Sequence, residues 1–153
     1  MEPREADVRA MRRALALAHE AAGAGEVPVG AVVVGPEGQI IGQGRNLREN
    51  TADPTAHAEV VAMREAASAI GSWNLDGCTL AVTLEPCLMC AGTLLQARIS
   101  RVVFGAWDDK AGAAGSMYDV VRDRRLPHRA EVVGGVLEEE TRAVLAEFFE
   151  ERR

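Results

Sequence analysis

Two short segments carry the chemistry that can be read from this chain: His57-Ala58-Glu59, and further along Pro86-Cys87-Leu88-Met89-Cys90. Two cysteine thiolates at C-x-x-C spacing chelate one Zn²⁺, and an imidazole from another segment supplies a third ligand. A fourth tetrahedral position is then left for water. Zinc held this way lowers the pKa of bound water from 15.7 to roughly 7, which makes hydroxide available at neutral pH. Glu59, a carboxylate that need not bind metal, stands where it could handle the proton.

Conjunction is what gives these residues weight. A lone C-x-x-C could be a redox pair or half of a structural zinc site, and H-A-E alone is noise. The strongest non-enzymatic rival is a closed structural zinc with Cys78 or His128 as fourth ligand. That reading leaves Glu59 without a role, and a redox reading of Cys87 and Cys90 leaves His57 unexplained. Of the remaining histidines, His19 has no partner motif, and His128 reads as a surface or loop-packing residue.

Placing these groups requires ordered elements around them. Val8, Met11, Leu15 and Ala18 recur at helical spacing over 6–22, with Gly23 and Gly25 ending the pattern. The β-branched run 29–34, the turn residues Gly35-Pro36-Glu37-Gly38 and a strand opening at Ile40-Ile41 read as a hairpin, with Asn46 in the loop that follows. A helix is expected over 56–69, a strand over 79–84, a helix over 87–97, a strand over 101–105, a fifth strand over 132–136 and a terminal helix over 138–151. Strands alternating with helices give an α/β fold, a three-layer sandwich with a five-stranded mixed sheet. Both zinc-site segments then open helices. There the partial positive charge and unpaired N–H groups favour thiolate over thiol, and Pro86 is well tolerated at such an entry.

Composition narrows the class. At 153 residues, 48% hydrophobic and 26% charged, the chain (1–153) fits one globular domain with a real core. A charged N-terminus and the lack of a long apolar run give the expectation of a soluble, cytoplasmic protein with no membrane span. Three cysteines, two at metal spacing, fit a reducing compartment, with Cys78 as a buried free thiol. A net charge of −6 excludes a generic nucleic-acid coat but not a small local contact. The arginines at 122, 124, 125 and 129 read as a solvated basic loop.

The pattern H-x-E…P-C-x-x-C marks zinc nucleobase deaminases, and the wider sequence resembles one family, the bacterial tRNA-specific adenosine deaminases of the cytidine deaminase superfamily. The resemblance runs through Glu26-Val27-Pro28-Val29-Gly30-Ala31-Val32, Asn46, Asp53-Pro54-Thr55-Ala56-His57-Ala58-Glu59, Thr83-Leu84-Glu85-Pro86-Cys87 and Arg101-Val102-Val103-Phe104-Gly105. It continues in Lys110-Ala111-Gly112-Ala113-Ala114-Gly115-Ser116 and in Phe148-Phe149 with Arg152-Arg153. It implies a cytidine deaminase-like fold, one zinc per chain on His57, Cys87 and Cys90, and Glu59 as the catalytic acid and base. It further implies a homodimer that converts the wobble adenosine of a tRNA anticodon stem-loop to inosine. Asn46 matches the residue that hydrogen-bonds the target base, Val29 and Ala58 match pocket-lining positions, and Asp108, Lys110 and Phe149 match places that approach flanking nucleotides. Pro127, Trp107 and Gln96 depart from the pattern at the RNA-facing periphery. A free-base or nucleoside deaminase acting on guanine or cytosine is the alternative enzyme that the zinc motifs leave open.

Overall fold

The computed structural model describes residues 2–152. Helix α1 (Glu5–Gly23) leads into a hairpin of β1 (Gly30–Val34) and β2 (Ile40–Arg45). A one-turn helix α2 (Arg48–Thr51) and the helix α3 (Ala58–Ile70) follow, then β3 (Thr79–Leu84), α4 (Leu88–Gln96), β4 (Arg101–Ala106), β5 (Glu131–Val133) and α5 (Glu138–Glu150). The five strands form one sheet in the order β2-β1-β3-β4-β5. β1 pairs antiparallel with both β2 and β3, while β3, β4 and β5 run parallel. The sheet is therefore mixed, as expected.

Side-chain alternation divides the interior into two layers. Ala31, Val33, Leu80, Val82, Val102 and Phe104 point to one face and pack with Ala62, Met63 and Ala66 of α3 and Leu94 of α4. Val32, Ala81, Val103 and Val133 point to the other and meet Met11, Ala14 and Leu17 of α1. Helix α5 lies on that second side, with Val144 and Phe148 buried beside α1. Each fully buried Val, Leu, Met or Phe among them contributes roughly 1.5–3 kcal/mol.

The distance between α3 and the sheet is set by two glycines of β2. A Cβ at Gly42 would stand 2.3 Å from the Ala62 carbonyl oxygen, and one at Gly44 would stand 2.6 Å from that of Ala58. The alternation in β2 thus brings the first turn of α3, and with it the His57–Glu59 segment, directly against the sheet.

Two elements differ from the sequence expectation by more than one residue at an end, and one short helix was not expected. α3 begins at Ala58, not at 56, because Asp53 Oδ1 accepts hydrogen bonds from both the backbone N–H and the hydroxyl of Thr55, holding a turn there. The fifth strand occupies 131–133, not 132–136. Gly134 sits against the rings of Phe104 and Trp107, Gly135 takes a left-handed φ of 81°, and the chain leaves the ladder towards α5. The one-turn α2 has no periodicity long enough to be read. Arg153, at the end of the basic C-terminal pair, lies outside the described residues.

Candidate active site

His57 and Cys87 are the N-cap residues of α3 and α4, and neither caps its helix through its side chain. Both side chains instead turn towards each other. His57 therefore precedes α3 and does not sit in its first turn, while Glu59 does. The imidazole Nδ1 lies 3.6 Å from Cys87 Sγ and 3.4 Å from Cys90 Sγ, and the three donor atoms all lie within 4.8 Å of one another. Zn–S and Zn–N distances of roughly 2.3 and 2.0–2.1 Å put the S···N edge of a tetrahedron at about 3.6 Å. This nitrogen and these two sulfurs fit a zinc ion without rearrangement. Among the described residues no fourth His, Cys, Asp or Glu joins the group. Cys78 is buried in the core, and the His128 ring Nε2 pairs with the Ile99 carbonyl oxygen at 2.8 Å. A closed four-ligand site is therefore not formed.

The charges fit this arrangement. The Cys87 thiol is pulled down to about 4, chiefly because the Cys90 thiol hydrogen-bonds to its sulfur and also because His57 does. Cys90 is pushed up in exchange, by the same bond and by burial. His57 is raised, first by its bond to Cys87. Two touching sulfurs and an imidazole thus hold a proton that a divalent cation would displace, the usual linkage of metal binding to proton release. Glu59 is buried and not part of the donor cluster. Burial pushes its carboxyl up to about 7, against the pull of its own backbone N–H. A carboxyl in that range accepts and returns protons near neutral pH.

His57, Glu59 and Cys87 form the floor of a cavity of about 200 Å³, with Cys90 buried behind them. One wall carries Val29, Asn46 and Arg48, and the opposite one Glu85, Asp108 and Ala111. Asn46 accepts the Arg48 backbone N–H on Oδ1 at 3.0 Å, so its amide nitrogen is the end left to donate. Ala58 lines the cavity beside His57. Of the residues expected from sequence, Lys110 lies outside the lining, exposed on the turn that Asp108 Oδ1 makes with the N–H groups of Lys110 and Ala111. Phe149 does not line the cavity either. It is 53% exposed on α5, edge-on to Phe148. Trp107 packs edge-on against Phe104 with ring centroids 4.8 Å apart, and Gln96 and Pro127 share a separate recess with Leu126 and His128.

Sequence reasoning missed two buried carboxylates that hold the walls. Glu85 accepts the backbone N–H groups of Asp108 (3.0 Å), Ala114 (3.1 Å) and Ser116 (2.9 Å) and the Ser116 hydroxyl, pinning the 108–116 loop to the segment that ends in Cys87. A Cβ at Gly112 would fall 2.3 Å from that carboxyl carbon, so the loop can close over it only as glycine. Glu26 accepts Glu49 N–H (3.1 Å) and Asn50 N–H (2.6 Å), fixing α2 and the loop after Asn46. The available signal was an acid embedded in apolar surroundings, Glu26 before Val27-Pro28-Val29 and Glu85 between Leu84 and Pro86. Such an acid is stable only when its oxygens are filled.

With that geometry in place, comparison with known proteins is direct. The profile of the cytidine and deoxycytidylate deaminase zinc-binding region matches residues 4–106. This chain belongs to that family. Among its relatives, the tRNA-specific adenosine deaminase of Bacillus subtilis is 48% identical over 94% of this chain and 88% of its own length. That of Haemophilus influenzae is 50% identical over 97% and 86%. A solved structure from a study of A-to-I editing by tRNA:A34 deaminases at the wobble position of transfer RNA has a TM-score of 0.86. It is 39% identical and the match covers 90% of this chain and 99% of that one. The fold, a five-stranded mixed sheet between helices, is the one expected, and the family's cofactor is zinc. No helix among the described residues is long and apolar enough to cross a membrane.

Proposed function

We propose that the protein is a zinc-dependent hydrolase that deaminates adenosine to inosine at the wobble position of a tRNA anticodon. The observation that carries this reading is a three-donor metal cluster with no fourth side chain among the described residues, beside a buried Glu59 at one cavity the size of a base. At about 200 Å³ the cavity is smaller than the roughly 300–1,000 Å³ of drug-sized ligand sites, which suits a single base splayed out of a loop. The names of the relatives supply the substrate.

His57, Cys87 and Cys90 would hold zinc, which when bound polarises water so that it loses a proton near neutral pH. Glu59 takes that proton and delivers it to N1 of adenine, which makes C6 open to attack by the water oxygen. The same carboxyl then takes the second proton from the attacking oxygen and hands it to the departing amine, so that C6 becomes a carbonyl and ammonia leaves. Asn46 donates to the base, Val29 packs on it, and the backbone at Ala58 borders it. Asp108 at the cavity lining, and Lys110 and Phe149 outside it, meet the flanking nucleotides.

The whole chain acts as one deaminase domain in the cytoplasm, as a homodimer. A recess of about 310 Å³ between α3 and α4, lined by Val60, Met63, Trp73 and Met89, supports the second copy, with Trp73 65% exposed and Leu88 49% exposed nearby. Equilibrium sedimentation at the mass of a single chain would overturn that part. The decisive assay offers purified protein an anticodon stem-loop with wobble adenosine beside free adenosine, cytidine and guanine, and reads inosine. Turnover of a free base or nucleoside with none of the stem-loop would overturn the substrate.

A further inference from the structure

Arg48 is the cationic side chain that lines the cavity, and three carboxylates, Glu59, Glu85 and Asp108, line it too. Two of those have their charge engaged. Glu85 is filled by the 108–116 loop, and Asp108 caps the turn to Ala111. Arg48 differs, because its side chain makes no ion pair among the described residues. Some surface arginines pair with acids, as Arg64 does with Asp53 and Arg122 with Asp119, and others such as Arg9, Arg12 and Arg124 do not, so what sets Arg48 apart is its place in the cavity lining.

The backbone beneath Arg48 is held more firmly than an exposed loop requires. Its own N–H is bound by Asn46 Oδ1 at 3.0 Å, and the next two N–H groups are bound by buried Glu26 at 3.1 and 2.6 Å. Its carbonyl oxygen accepts Asp53 N–H at 3.2 Å. The Asn46 side chain and the Arg48 backbone are therefore joined directly, on a segment held by Glu26. A chain of net charge −6 repels a polyanion at long range, so any RNA phosphate at this cavity needs a local cation. Guanidinium is the side chain whose forked donors match a phosphate.

We infer that Arg48 binds a backbone phosphate flanking the target adenosine, with buried Glu26 as the positioning residue that fixes Arg48 relative to Asn46. The inference rests on the proposed RNA substrate and adds to it the contact that seats the nucleotide. No expectation from the motifs included it.

The test uses the full, zinc-loaded chain and an anticodon stem-loop. Arg48→Gln should raise KM about tenfold, the size of one lost charge-assisted bond, with kcat and zinc content held. The slope of log K against log salt should flatten by about 0.7, the share of one single-strand phosphate. Replacing one flanking phosphate with an uncharged methylphosphonate should cost the parent a similar factor and cost Arg48→Gln nothing further. Arg48→Lys should recover most of the binding. Glu26→Gln should raise KM in the same direction with zinc retained. A parent that edits the stem-loop, alongside an Arg48→Gln variant with the parent's KM and salt slope, overturns the inference alone. A parent that neither binds nor edits it overturns the RNA reading and this inference together.

Discussion

The floor of the cavity and its walls are secured in different ways. The floor consists of two helix entries, where the N-cap side chains of His57 and Cys87 project their chemistry directly at each other. The walls are loops, and what fixes them lies behind the lining: Glu26 for the side carrying Asn46 and Arg48, Glu85 for the side carrying Asp108. In the proposed reaction the floor residues would touch the reacting atoms, so a change there should alter the chemical step. The buried acids act through backbone N–H groups, so a change there alters how the substrate is held. Reactivity and recognition are thereby separated onto different bonds in one small cavity.

Substitutions can break that comparison at its strongest point first. Replacing His57 by Ala or Cys90 by Ser should release the metal, measured as zinc per chain, and reduce inosine formation by about 10⁴-fold or more, since unassisted water has its pKa back near 15.7. Cys78→Ser should leave the zinc content as it is. Next comes Glu59→Gln, with an expected loss of about 10²–10⁴-fold in kcat and zinc fully retained. Loss of zinc with that variant would place Glu59 among the ligands and collapse the distinction between floor and acid.

The walls should answer more weakly. Glu85→Gln keeps the volume but sets an amide N–H against the loop's own N–H donors, which costs about 1–3 kcal/mol for a buried unsatisfied group. Faster hydrogen exchange at Ala114 and Ser116 and a fall in kcat/KM carried by KM are the expected result. A fall in kcat alone would show that the loop takes part in the chemical step.

A buried acid far from the cavity provides the control and the smallest effect on function. Asp7 of α1 accepts Arg101 at 2.6 Å, and Arg101 also reaches Glu131 at 3.0 Å. Burial opposes ionisation of Asp7, and the Arg101 bonds outweigh it, so the carboxyl lies below its ordinary 3.8. A carboxyl lowered in the native state stabilises the fold above the unfolded value, near 3.9, and that contribution is lost as pH falls through the lowered native value. Asp7→Asn should therefore destabilise the protein at pH 7 and show a smaller further loss on acidification below about pH 4, read by denaturant midpoints, with KM for the stem-loop unchanged.

Some of this was legible in the residues and some was not. The order of helices and strands followed from hydrophobic period and turn chemistry, because both are local. The triad with its carboxylate followed from residue types whose zinc chemistry is specific and whose spacing within each segment is short. Helix α2 and the true length of β5 were missed for opposite reasons. Four residues are too few to show a period, and Val132–Val136 has strand-like residues that the left-handed Gly135 and the packing of Gly134 on Phe104 override.

What the sequence determined by itself was the set of reactive groups and the elements that carry them, since ligand chemistry and propensity belong to single residues and their near neighbours. Tertiary structure alone decided that two helix entries meet across the end of the sheet, that Gly42 and Gly44 let α3 approach it, and that Glu26 and Glu85 face inward to hold the walls. Those facts depend on pairs distant in the chain. A buried carboxylate looks like any other acid until the N–H groups that fill it are in place.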